Sequence, residues 1–413
     1  MPFRETCRME ERIRMLSDYD RGIWSVSELC RRYGVSRDTF YEWRRRRDSG
    51  ESDWFMDRSH APLRRPHATA AELRHEIIAL RRRFPHMGPR KLLALLARRA
   101  PETSWPAAST IGDILQRAGL VTPVKRRRRA LEQGRPFAAV VAANDEWSAD
   151  FKGWFRTGDR QRTDPLTLSD SHSRFLIDIR IVVPTMEGAQ PVFAAAFRAY
   201  GLPQAIRCDN GPPFGSRGAA GLTRLSAWWA KLGIEPHFIE VASPQENGRH
   251  ERMHRTLKEQ TLRPPAWQAP DQQARFDAFR AHYNEERPHE ALGQRFPVEL
   301  YQRSPRPLPA QIEDPEYDAD HVLRQVRTDG GIKWRGKHVF ISEALVGELV
   351  GVLELETGDY LVRFCKLNLG VIDQFGRFSR FAPLRYRLRE PAEPAPPNLS
   401  GILPVQNVDH QPG

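Results

Sequence analysis

The chain contains a strand that has to stop. Asp209 follows the short apolar run Ala205-Ile206 and precedes Asn210-Gly211-Pro212-Pro213. Glycine and proline in succession break a ladder, so a sharp turn begins at the acid and Asp209 is displayed rather than packed.

Two further acids stand in comparable settings. Glu251 comes after Ser243-Pro244 and Asn247-Gly248, breakers that give way to a helix expected from about Gly248 to Gln260. Within it Met253 and Leu257 form an apolar stripe, while Glu251 and Lys258 project together from another face. Asp150 lies in Trp147-Ser148-Ala149-Asp150-Phe151-Lys152, where apolar and polar residues alternate; a strand here turns the acid away from its apolar layer.

Three converging carboxylates repel one another unless a cation sits between them. Hard oxygen ligands select Mg²⁺ or Mn²⁺, and a pair of such ions can promote in-line phosphoryl displacement. Spacing alone leaves this open. The chain has 52 acidic residues, and Asp164, Asp170 and Asp178 compete for the same role.

The residues around the acids are more specific. W-S-A-D-F at Asp150, R-C-D-N-G at Asp209 and S-P-Q-E-N-G-R-H-E-R at Glu251 are followed by Tyr283-Asn284, Arg287-Pro288-His289-Glu290-Ala291-Leu292, Pro297 and Tyr301. From roughly Asn144 to Tyr301 this order resembles the Asp-Asp-Glu core of retroviral integrases and insertion-sequence transposases. The resemblance implies an RNase H-like fold in which Asp150, Asp209 and Glu251 are catalytic and hold two Mg²⁺ (or Mn²⁺) ions. Asp150 and Glu251 would share one ion, Asp150 and Asp209 the other. It also implies that Lys258 contacts the DNA terminus, that the reaction is metal-dependent cleavage and strand transfer, and that the protein is a homo-oligomer, since two DNA ends are joined.

The spacing departs from the retroviral pattern: residues 210 to 250 separate the second and third acids, and Gly215 to Gly221 reads as an inserted loop. Hard-metal chemistry has no need of His172, His237, His250 or His254, and His250 and His254 are expected at the helix surface or facing DNA. Retroviral integrases carry a His-His-Cys-Cys zinc set; none is found here, and no zinc is expected. Cys7, Cys30, Cys208 and Cys365 contain no CxxC pair.

A net charge of +12 favours a polyanionic partner. Residues 1–50 read as three helices resembling a helix-turn-helix, with Ser25 opening the second helix, Gly34-Val35-Ser36 as the turn and Ser36 capping the third. Arg37, Tyr41, Arg44 and Arg45 lie off its apolar face and are candidates for double-stranded DNA; a solvated basic face is the alternative. A connector at 51–69 leads to a second helical unit at 70–122, in which Ser109 stands near the cap of the last helix. That unit is either a second helix-turn-helix or a spacer. The linker at 123–140 carries Lys125, Arg126, Arg127 and Arg128, a block suited to tracking phosphates.

The core spans 141–303. It includes an alternating strand from Phe175 to Ile181, a helix from Glu187 to Tyr200 with Pro191 in its first turn, a helix from Leu222 to Leu232 and a strand from Pro236 to Val241. After a proline-rich linker at 304–320, short strands with turns at Asp329-Gly330-Gly331 and Thr357-Gly358-Asp359 fill 321–389. They weakly resemble the SH3-like β-barrels of integrases and transposases, and such a barrel serves either as a DNA or subunit contact or as a structural cap. Residues 390–413 are expected to be a disordered tail.

The fold class expected is therefore multidomain: N-terminal all-α helix-turn-helix units, an RNase H-like α/β catalytic core and a small C-terminal SH3-like β-barrel. The function expected is a DNA transposase. Its rivals are a transposase-derived DNA-binding regulator without catalysis and a stand-alone nuclease of the same fold. No signal peptide or membrane span is read from the apolar runs, so a cytoplasmic, nucleoid-associated location is expected.

Overall fold

The computed structural model describes residues 7–58, 68–121, 140–239 and 248–381. The basic block Lys125, Arg126, Arg127 and Arg128, the Ser243–Asn247 approach to Glu251 and the tail from Glu390 lie outside the described residues. The chain divides into two compact units, 1–70 and 71–413.

In the first unit α1 (Arg8–Asp20), α2 (Val26–Tyr33) and α3 (Arg37–Asp48) enclose Met15, Leu16, Leu29, Cys30, Phe40 and Trp43. Ser25 and Glu28 form a reciprocal capping box at the start of α2, and Gly34 closes that helix at φ 64°. The Ser36 hydroxyl then accepts the Thr39 N–H at 3.1 Å and starts α3. Arg37, Tyr41 and Arg45 are left exposed along α3, with Arg44 half-buried.

The second unit opens with α4 (Ala71–Arg83), α5 (Pro89–Arg99) and α6 (Ala108–Arg117), packed around Ile77, Leu80, Leu92, Leu96, Ile111 and Leu115. Helix α6 starts after Ala107 without a side-chain cap, so Ser109 lies inside the first turn. The three helices are fastened to the core: the Phe84 ring stacks on His282, and Arg98 lies 4.1 Å from the Phe296 ring centroid while pairing with Glu299.

The core comprises β1 (Glu146–Phe151), a hairpin of β2 (Phe155–Arg156) and β3 (Arg162–Thr163), β4 (Pro165–Asp170), β5 (Leu176–Ile181), α7 (Met186–Tyr200), β6 (Ala205–Cys208), α8 (Arg224–Lys231), β7 (Glu235–Phe238), α9 (Gly248–Thr261) and α10 (Ala269–Glu285). One mixed sheet runs β5-β4-β1-β6-β7, antiparallel through β5, β4 and β1 and parallel through β1, β6 and β7. Trp147, Ala149, Leu168 and Ile206 pack on Phe193 and Phe197 of α7 and Trp229 of α8. On the opposite face Leu176 and Ile179 meet Met253 and Leu257 of α9 and Phe276 of α10. Both faces of β5 are therefore covered, with Ile177 on the α7 side and Leu176 and Ile179 on the α9 side. Pro191 lies beyond the first turn of α7, where it cannot bond the Glu187 carbonyl.

Strand β5 is an edge, and α10 closes it. Asn284 accepts from the Leu176 N–H at 2.8 Å and donates to the Leu176 carbonyl at 2.9 Å, Arg280 donates to Ile177 O, and Gln273 donates to Ile179 O. Side chains take the place of a sixth strand and hide groups that would otherwise pair with another chain.

The C-terminal strands are β8 (His321–Gln325), β9 (Gly331–Trp334), β10 (Lys337–Phe340), β11 (Leu349–Glu354), β12 (Tyr360–Phe364), β13 (Leu367–Ile372) and β14 (Phe378–Arg380). They form an open antiparallel sheet, β14-β13-β12-β11-β8, and a separate β9–β10 hairpin, so the closed barrel expected from the turns is not formed among the described residues. The turn at Asp329-Gly330-Gly331 sends the chain into the second sheet, while β8 pairs with β11. The expected inserted loop is also different in kind. Ala219, Ala220 and Leu222 are buried against Val339, Ile341 and Val350, and Lys231 pairs with Glu348 at 2.8 Å. The insertion is the seat of the C-terminal sheet. Among the described residues, no helix is long and apolar enough to cross a membrane.

Candidate active site

Alternation along β1 puts Trp147 and Ala149 into one apolar layer. Ser148 and Asp150 therefore turn to the α9 face. Ser148 pairs with Arg207 in the parallel β1–β6 register. Asp150 lies two residues beyond Ser148 and Asp209 two beyond Arg207, so the aspartates stand at equivalent positions where adjacent parallel strands end. Buried Cys208 lies beside both: burial first, then the charges of Asp209 and Asp150, push its thiol well up. Burial also raises the Asp209 carboxyl above its ordinary range, against a hydrogen bond from the Gly211 N–H at 3.3 Å. A nearby cation would reverse that shift.

Helix α9 crosses this face, anchored by Met253 and Leu257, which are 4% and 0% exposed. His250 and His254 share the buried side, contrary to the expectation that they face solvent or DNA. Both place Nε2 on the Thr167 hydroxyl, at 2.6 and 2.8 Å, and His250 Nδ1 lies 3.3 Å from Ser169 Oγ. The physical reason is spacing: His250, Met253, His254 and Leu257 stand at i, i+3, i+4 and i+7, one continuous helical stripe.

Thr167 donates its hydroxyl hydrogen to the Asp150 carbonyl at 2.9 Å. Both imidazole Nε2 atoms must then donate to Thr167, which turns the Nδ1 lone pair of His254 toward Asp150 Oδ2, 3.8 Å away. Burial, followed by the Lys152 charge, holds His254 down to about 3. Burial, then the charges of His254 and Arg207, hold His250 well below the usual imidazole range. Neutral histidines thus frame Asp150.

Glu251 is exposed in the first turn of α9. Among the described residues, the His, Cys, Asp and Glu groups whose ligand atoms gather within 4.8 Å are Asp150–His250–His254 and Asp318–Asp320–His321. The structure therefore brings Asp150 and Asp209 to one sheet edge and His254 to Asp150, but it does not bring the three acids within that distance of one another. Lys258 lies near Lys152, whose amine is lowered by burial and then by the Lys258 charge.

The competing acids are structural. Arg162 holds Asp164 at 2.9 Å, Arg180 holds Asp178 at 3.1 Å, and Asp170 accepts the N–H groups of Asn144 and Ser173. Behind the strand ends, buried Glu146 pairs with Arg207 at 3.2 Å and with His237 at 3.3 Å. Burial opposes a charge on His237, yet the hydrogen bonds its ring donates to the Glu146 and Glu235 carboxylates raise it to about 9.

Similarity to known proteins covers the same regions. Residues 232–297 match an integrase core domain, 11–52 a helix-turn-helix domain and 39–115 a homeodomain-like domain. An uncharacterised protein of insertion element IS476 from Xanthomonas euvesicatoria is 30% identical, over 67% of this chain and 72% of its own length. The transposase InsD of insertion element IS2 from Escherichia coli is 30% identical, over 68% of this chain and 92% of its own length. The magnesium-bound catalytic core domain of HTLV-2 integrase aligns with 39% of this chain and 99% of its own, at 16% identity and a TM-score of 0.31, a likeness too slight to build on.

Proposed function

Because the chain belongs to the transposases of bacterial insertion elements, we propose that Asp150, Asp209 and Glu251 form a catalytic centre for cutting and joining DNA. The observation that supports this most directly is the parallel β1–β6 pairing through Ser148 and Arg207, two residues before Asp150 and Asp209, with the charges of both acids felt at buried Cys208. Two carboxylates at one sheet edge, one of them raised by burial, fit a hard divalent cation such as Mg²⁺ or Mn²⁺. His250 and His254 fit it less well, since imidazole nitrogens suit softer metals than carboxylate oxygens do.

Asp150 would be shared between two ions, with Asp209 completing one and Glu251 the other. Bound there, the ions supply an activated oxygen nucleophile and stabilise the charge that develops on the leaving oxygen. In cleavage, the oxygen of water bonds to phosphorus and the P–O bond to the 3′ oxygen breaks, releasing a 3′-hydroxyl. In joining, that 3′ oxygen attacks a target phosphodiester and the target's own 3′ oxygen leaves, so the number of phosphodiesters is unchanged. His254 packs beside Asp150 and limits its rotation by bulk, while Lys152 and Lys258 bring positive charge to the strand. Arg37, Tyr41, Arg44 and Arg45 on α3, with Lys125, Arg126, Arg127 and Arg128, meet the element's ends, and two ends require more than one copy of the chain.

The test is an assay with a duplex carrying the element's terminal sequence, a target plasmid and Mg²⁺. Cut and joined products support the proposal. Products cut but never joined indicate a stand-alone nuclease, and binding without cleavage indicates a regulator.

A further inference from the structure

A cavity of about 340 Å³ opens where α5 and the segment after α10 meet the sheet beside α9. Six cationic side chains line it, Lys91, Arg174, Arg207, Arg252, Arg255 and Arg287, against the carboxylates Asp170 and Glu290. Both carboxylates are committed elsewhere: Asp170 accepts from Asn144 and Ser173, and Glu290 pairs with Arg90. Arg207 is paired with Glu146, so five further cations face these two acids and the cavity keeps an excess of positive charge.

Its donors are unmatched too. Arg174 Nε and Arg287 Nη1 are buried and have no hydrogen-bond partner among the described residues. Buried polar atoms normally have partners, and like charges gathered away from water repel. Burial, then the Arg287 charge, lowers the Lys91 amine to about 8. Burial, then Lys91, Arg287 and Arg174, depresses His289 to about 3. One multivalent oxyanion would satisfy the donors and relieve the repulsion together. Guanidinium forks with a lysine point charge suit the tetrahedral array of acceptors on a phosphate.

We propose that this cavity is a phosphate-binding site, distinct from the carboxylate pair, assembled from the second helical unit (Lys91), the β4–β5 turn (Arg174) and the Arg287–His289 segment. Ser148 also lines it, and it lies two residues from Asp150 on the same face of β1, roughly 7 Å of strand. A DNA strand lying across the acids would thus bring a neighbouring phosphodiester within reach. That source of phosphate rests on the transposase function proposed above, whereas a free phosphate would need no catalysis.

The experiment is thermal unfolding of the full chain in phosphate and in chloride at matched ionic strength, for the parent, Lys91→Met and Arg198→Gln, an exposed control on α7. The parent is expected to melt higher in phosphate. Lys91→Met is expected to melt at or above the parent in chloride, because a buried cation among like charges is gone, and to lose most of the phosphate increment; Arg198→Gln keeps it. Should Lys91→Met fail to fold, Arg252→Gln at the rim is expected to show the same loss. The salt dependence of duplex binding separates the sources: a slope smaller by about one phosphate contact in the variant identifies a DNA phosphodiester, and an unchanged slope with the increment still lost identifies a free anion. No phosphate increment in the parent, or an equal loss in Arg198→Gln, overturns the site whatever the joining assay shows.

Discussion

His254 Nδ1 stands 3.8 Å from Asp150 Oδ2, with its Nε2 fixed on Thr167 at 2.8 Å. A neutral, buried ring therefore lies against the first acid and limits by its bulk where that carboxylate can turn. His254→Ala is expected to lower the single-turnover rate of joining about tenfold while leaving the KM for duplex DNA unchanged, since DNA affinity resides elsewhere. His254→Gln, which can still donate to Thr167, is expected to recover part of the rate. A rise in KM alone would show that His254 binds DNA instead.

The Glu146–His237 pair gives stability a dependence on pH. The folded His237 value, about 9, exceeds the ordinary 6.5. Its contribution is therefore fully present below pH 6.5 and lost as pH rises through 9. Lys91, lowered to about 8, has the opposite slope above that pH, so the informative quantity is the difference between the parent and His237→Gln. Denaturant unfolding between pH 6 and pH 10 is expected to show that difference shrinking as pH rises.

On α3, Tyr41 and Arg45 are exposed and outside the apolar cluster. Arg45→Ala is expected to leave unfolding unchanged and to weaken duplex binding, with the slope of log K against log salt smaller by about 0.9 if one phosphate contact is lost. Fluorescence anisotropy at several salt concentrations reads both. An unchanged affinity would leave α3 a solvated basic helix.

Leu257 is fully buried beneath α9, and Leu257→Ala is expected to cost about 2–5 kcal/mol. Because the same helix holds His254 and Glu251, joining should fall further than the loss of folded protein explains. Activity per folded molecule, from unfolding curves and rates measured together, is the check.

Much of the fold is legible in the sequence because local rules are obeyed. Alternation around Asp150, breakers after Asp209, the Ser25 and Ser36 caps and the Met253–Leu257 stripe all depend on neighbours in sequence. His250 and His254 escape such a reading although their spacing extends that same stripe: hard-metal chemistry argues for leaving them outside, and their partners Thr167 and Ser169 come from a distant strand. The insertion at Gly215–Gly221 looks like loop because glycine content reports backbone freedom, not the sheet that later covers Ala219 and Ala220. The cavity at Lys91, Arg174 and Arg287 joins three distant segments, which no local pattern marks.

The proposed catalytic pairing of Asp150 with Asp209 is the centre of the account, and Asp209→Asn tests it most directly. Its volume and turn geometry match the parent, so folding should persist while the charge is lost. With terminal duplex, target plasmid and Mg²⁺, the variant is expected to bind DNA like the parent and to lose cleavage and joining by about a hundredfold or more, the scale of removing a group that stabilises developing charge. Cleavage and joining at the parent's rate would contradict the assignment of Asp209 to the catalytic centre.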